Sequence, residues 1–133
     1  MRTPALIAMI GLALAGASAV QAKPKQTGEE RLAKLLEGRV AGQPVSCISL
    51  HQTRDTRVID KTAIVYKSGS TIWVNRPSNP QSLDDDDVLV TELRGSQLCR
   101  MDIVRTHDRT AHFYTGFVGL QDFVPYRKVA VKD

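Results

Sequence analysis

Hydrophobic residues follow two different periods along this chain, after an opening run with none. Residues 5–17, "ALIAMIGLALAGA", are small or apolar without a break. In "TGEERLAKLLEG", Leu32, Leu35 and Leu36 recur at the spacing of one helical face. Thr27 stands three residues before Glu30, the spacing of a capping box. Glu29 and Glu30 suit the positive end of a helix dipole, and Gly38 supplies a stop. These signals predict a helix over residues 28–37. A helix so short is marginal alone, so its leucine stripe must dock on another element.

From Val45 the period falls to two. "VSCISL", "RVIDKTAIVY", "TIWVN", "DVLVTEL", "LCRMDIV" and "AHFYTGFVG" are short runs rich in β-branched and aromatic residues. Turn formers separate them: Gly42-Gln43-Pro44, Ser68-Gly69-Ser70, Pro77-Ser78-Asn79-Pro80 and Gly95-Ser96. The pattern predicts a mainly β body, a small antiparallel barrel or sandwich carrying one N-terminal helix. Its sharpest element is a hairpin joining "TAIVYK" to "TIWVN", with Gly69 at positive φ. In "CRMDIV" the alternation places Cys99, Met101 and Ile103 on an inward row, with Arg100 and Asp102 outward. Tyr66 and Trp73 hold alternating strand positions and are expected in the core.

The opening run changes the picture of where the protein works. Arg2 precedes it, and Val20-Gln21-Ala22 offers small or modest residues after it. Residues 1–22 read as a signal peptide cleaved after Ala22, too short in its apolar part to span a bilayer comfortably. No cysteine follows to carry a lipid, and no later run reaches membrane length. Residues 23–133 are then a single β-rich domain in the periplasm or outside the cell, with no transmembrane segment. About 111 residues suffice for one domain and not two.

The formal charge of +4 is mild and loses one unit with Arg2. No dense Lys/Arg stripe alternates with aromatics, so nucleic acid is not an expected partner. The two cysteines, Cys47 and Cys99, imply one disulfide in an oxidising compartment. Cys99 on the inward row predicts that this bond is buried and ties the first strand to a late one.

Candidate chemistry is sparse. Asp84 to Asp87 form a run of four acids. An extended run points alternate carboxylates to opposite faces, and it lacks the spaced acids and central glycine of an EF-hand loop. It reads as a solvated turn before "VLVTEL", where charge discourages stray edge pairing, with weak divalent-ion binding as the alternative. His107 and His112 are five residues apart, on opposite faces of any continuous strand. No "GxSxG" elbow is present, and nothing in the spacing of serines, histidines and acids selects a catalytic set. No catalytic residue, metal ligand or cofactor is expected. "HQTRDTRVID" alternates sign through Arg54, Asp55, Arg57 and Asp60. It reads as a hydrated loop in which Arg54 and Arg57 are the candidate contacts for an anionic partner.

"GRVAGQPVSCISL", "TRVIDKTAIVY", "WVNRP", "LC", "DIV" and "GLQDFVPYRK" together cover nearly all of the chain after residue 22. In this combination the chain resembles a group of small exported proteobacterial proteins classed as a domain of unknown function. The resemblance implies export, a compact domain and one paired-cysteine framework, and it assigns no activity. "YKSGSTIW", Tyr66 to Trp73, resembles a strand-and-loop segment of periplasmic inhibitors of C-type lysozyme, which are small disulfide-tied β-barrels. That likeness implies a loop carrying Ser68 and Ser70 into a lysozyme cleft. The reading that follows is a non-enzymatic periplasmic binding or envelope-associated module, with a protein or envelope component as partner. A lysozyme inhibitor is the first alternative. A metal-dependent hydrolase is the second, and it requires His107, His112 and a carboxylate in one pocket.

Overall fold

The computed structural model describes Gly16 and residues 18–130. Most of the signal-peptide reading, residues 1–22, lies outside the described residues. Helix α1 spans Gly28–Leu35 and is capped as the sequence predicts: the Thr27 side chain accepts from the Glu30 N–H, and Glu30 accepts from the Thr27 N–H. The helix ends two residues before the predicted limit, because Leu36 is already the C-cap and Gly38 turns the chain at φ 73°.

Ten strands follow: β1 Arg39–Ala41, β2 Cys47–Ser49, β3 Asp55–Ile59, β4 Ala63–Ser68, β5 Thr71–Asn75, β6 Asp87–Thr91, β7 Gln97–Cys99, β8 Ile103–Asp108, β9 Tyr114–Gly119 and β10 Phe123–Lys128. They build a five-stranded sheet ordered β1-β10-β5-β4-β3, a two-stranded sheet β2-β7 and a three-stranded sheet β6-β8-β9. Every pairing is antiparallel. The architecture is mainly β and sandwich-like, and the sheets do not close into a barrel.

Both faces of the five-stranded sheet are covered. On one face, Leu32 of α1 packs with Ile59, Ala63, Val65, Ile72 and Val74, joined by Leu35, Leu36 and Tyr126. The leucine stripe therefore docks where its isolated instability requires. On the other face, Ile64, Tyr66 and Phe123 meet Ile48 and Leu98 from the small sheet, and Val104 and Val118 from the three-stranded sheet. Double coverage explains why Ala63, Ile64, Val65 and Tyr66 are all buried in succession.

The β4–β5 hairpin forms as predicted. Ser68 pairs with Thr71, and Gly69 adopts φ 56°. Cys47 and Cys99 are bonded and stand directly opposite each other across β2 and β7, with Cα atoms 4.0 Å apart. Closing a loop with a sequence separation of 52 stabilises the fold by ~4 kcal/mol in the chain-entropy view.

Two expectations are corrected, and one strand lies where none is predicted. "CRMDIV" is not one strand: Asp102 accepts the Cys99 N–H through its side chain and returns its own N–H to the Cys99 carbonyl. The chain turns there with Met101 at φ 70°, so Met101 and Ile103 are exposed while Leu98 and Val104 are buried. "HQTRDTRVID" is no loop throughout, because Asp55 to Ile59 pair in unbroken register with Lys67 to Ala63. The C-terminal "FVPYRK", not read as a strand, is β10, an interior strand between β1 and β5. Pro125 argues against such a place, since proline cannot donate to a ladder. Its carbonyl accepts from Gly42 N–H just past the end of β1. A residue's missing N–H points the same way as its carbonyl. The lost donor therefore falls where β1 has ended, and the pairing with β5 is untouched.

Candidate functional site

The five-stranded sheet ends at β3 and the three-stranded sheet ends at β6. Neither strand has a partner on its outer side among the described residues. Between these edges lies an open cleft with a volume of about 950 Å³, at the upper end of the range for small-ligand pockets. Helix α1 contributes Arg31, Lys34 and Leu35 to one flank. Strand β3 contributes residues 56–59, and β6 with its preceding loop contributes Asp85 to Leu89 and Thr91. Deeper in, Leu50, Leu98 and Tyr66 line the space.

Tyr66 is the unusual member. Only 3% of its surface is exposed, and its ring meets Phe123 edge-on with centroids 5.8 Å apart. Burial pushes its hydroxyl well above the ordinary phenolic range. No protein group among the described residues bonds that hydroxyl, yet no fully enclosed side-chain polar atom is left unpaired. The hydroxyl therefore opens into the cleft, where an occupant or solvent meets it.

The four aspartates do four different jobs. Asp84 accepts the Asp86 N–H and shapes the turn. Asp85 binds Arg31 at 2.7 Å, and that hydrogen bond holds its carboxyl below the ordinary value of 3.8. Asp86 is exposed at the rim. Asp87 starts β6, is only 7% exposed, and accepts the Thr115 hydroxyl at 2.6 Å. The solvated-turn reading thus fits Asp84 and Asp86, while Asp85 and Asp87 are structural. Asp60, Asp84 and Asp85 each bring one carboxylate oxygen within 4.8 Å of the others. Asp85, one of these three residues, is already paired with Arg31.

Of the residues singled out in the sequence, Arg57 lines the cleft and lies 3.5 Å from Asp55. Arg54 precedes β3 and is not part of the lining. Ser68 and Ser70 sit at the β4–β5 tip, outside the cleft, where the Ser70 carbonyl accepts from Arg39 at 2.6 Å. His107 stacks edge-on with Tyr114 at 5.8 Å, and His112 lies in the following turn at φ 59°. The sequence reading missed Lys34, Leu89 and the Tyr66 hydroxyl as site groups. Only the charge alternation beside β3 hinted at the place.

No family model, curated protein or solved structure matches this chain.

Proposed function

We propose that this protein is exported through residues 1–22 and acts as a non-enzymatic binding module whose site is the cleft between β3 and β6. The observation that carries the reading is the combination in one open cleft of an apolar floor, the Tyr66 hydroxyl, which no described protein group bonds, and a charged rim. Its polar groups suit holding a ligand: they are spread along two strand edges and a helix, and the carboxylates Asp85 and Asp87 are already bonded to Arg31 and Thr115. A disulfide favours an oxidising compartment such as the periplasm.

Envelope extracts passed over tagged residues 23–133, with Leu89→Trp as a cleft-filling control, test this directly. Capture of an envelope component by the wild-type protein, and its loss in Leu89→Trp at unchanged Tm, is the expected result. Capture indifferent to Leu89→Trp, or measurable turnover of the captured component, overturns it.

The lysozyme-inhibitor reading keeps one support, an exposed two-residue hairpin tip at Gly69 and Ser70. It predicts that excess protein slows cell lysis by a C-type lysozyme and that Ser70→Arg abolishes the effect. Unslowed lysis removes it.

A further inference from the structure

We propose that the cleft takes an extended segment of a partner protein, added as a strand along the free edge of β3, whose side chains alternate between acidic and apolar. The claim rests on the binding role proposed above and names the class of occupant.

Two unpaired edges on one cleft are the first argument. Asp55–Ile59 bond only toward β4, and Asp87–Thr91 only toward β8, as far as their ladders run. An uncovered edge presents rows of N–H and C=O groups that template another strand. Proteins commonly cover such edges with a helix or loop. Here α1 and β6 stand to either side of the β3 edge and leave the cleft open along it.

The second argument is the chemistry on the two sides of that edge. Ile59 belongs to the core beneath α1, and Arg57, two residues away, shares its face. Arg57 also borders a small recess with Leu35, Val65 and Ile72 on that side. Val58 packs into the opposite core. A strand laid along β3 has the same two faces. Its row on the helix side meets Arg31, Lys34 and Arg57. Asp85 neutralises Arg31, Asp55 approaches Arg57 only at 3.5 Å, and Lys34 makes no ion pair among the described residues. Its other row meets Leu50, Leu89, Leu98, the open hydroxyl of Tyr66, and Asp87, whose carboxylate is bonded to Thr115. Cations on one side and leucines on the other select acidic and apolar side chains in alternation. Asp86 and Arg109 both stand on the rim and offset one another in sign.

A small organic anion would use the cations and the leucines but neither row of backbone groups. An extended peptide uses all of them.

The test titrates short, capped, fluorescein-labelled peptides of alternating Glu and Val into residues 23–133 and follows anisotropy. Alternating Lys and Val peptides, and a Glu/Val peptide N-methylated on alternate backbone nitrogens, serve as comparisons. The Glu/Val peptide is expected to bind at least about tenfold more tightly than the Lys/Val peptide. N-methylation is expected to abolish binding, and hydrogen exchange to slow at β3 amides. Lys34→Glu with Arg57→Glu, both exposed, reverses the charge preference at unchanged Tm. Equal affinity for both peptides, indifference to N-methylation, or protection away from β3 overturns the proposal. Dodecanoate displacing the peptide while the N-methylated peptide binds equally well would assign the cleft to a small anion instead. If Glu/Val peptides fail but envelope capture still depends on Leu89, strand addition falls and the binding role stands.

Discussion

The five-stranded and three-stranded sheets meet along two seams, and the seams are built differently. On the closed seam, carboxamides tie strands to the loops that connect the two sheets. Asn75, fully buried, donates to the Gln121 carbonyl at 2.6 Å and accepts the Gln121 N–H at 3.1 Å. Asn79 does the same for the Phe117 carbonyl at 2.8 Å and the Gly119 N–H at 3.0 Å. A side-chain amide has the donor and acceptor of a peptide group, so each asparagine stands in for a missing strand residue. On the open seam there is no such stand-in among the described residues. Near one end, the Lys61 N–H just past β3 donates to the Leu83 carbonyl before β6 at 3.0 Å, and Arg31 of α1 pairs with Asp85 in the same loop. The difference teaches that this fold satisfies backbone groups where it needs rigidity and leaves them accessible beside a cleft.

The largest expected effect falls outside both seams and sets their scale. Replacing Cys47 and Cys99 by serine removes ~4 kcal/mol, and denaturant unfolding measures it. A loss below about 1 kcal/mol would mean that the seams alone hold β2 and β7. Asn75→Ala removes a fully buried carboxamide and both of its bonds to the Gln121 backbone, and is expected to cost about 3 kcal/mol. Asn79→Ala, nearer the surface, costs about 1 kcal/mol by the same measurement. Similar values for Asn75→Ala and Val88→Lys would erase the contrast between seams, because Val88 is exposed on the open side and Val88→Lys is expected to stay within about 0.5 kcal/mol.

The smallest effect is acidic. Arg31 lowers the Asp85 carboxyl below its unfolded value of 3.8. The pair's contribution is therefore whole above that value and lost as pH falls through the lower folded one. For a partly exposed pair it is below about 1 kcal/mol. Asp85→Asn should erase it, so the wild type and Asp85→Asn should converge in stability on the acid side of pH 4 and differ above it. A difference that persists in acid points to packing, not charge.

Much of the architecture is legible from local chemistry. The capping box at Thr27 and Glu30, the leucine stripe and the Gly69 hairpin each depend on neighbours in sequence, and each forms as read. β10 escapes that reading because Pro125 is tolerated only through where β1 happens to end. "CRMDIV" escapes it because the Asp102 side chain captures the Cys99 amide and breaks an alternation that looks continuous. The site was less legible than the fold. Arg57 was marked by charge alternation, but its role depends on β3 being an edge, and strand order is absent from local pattern. Tyr66 is read correctly as core, while the opening of its hydroxyl depends on what fails to pack against it.

What the chain alone determines is its periodicity: one amphipathic helix, a succession of short strands, and two cysteines available to pair. Those features come from side chains within a few residues of one another. Which strands become edges, and that β3 and β6 face each other unpaired across a cleft, is decided only when distant segments compete for the same backbone hydrogen bonds. Carboxamides answer for two missing strand positions at Asn75 and Asn79, and nothing among the described residues answers along the open edge of β3.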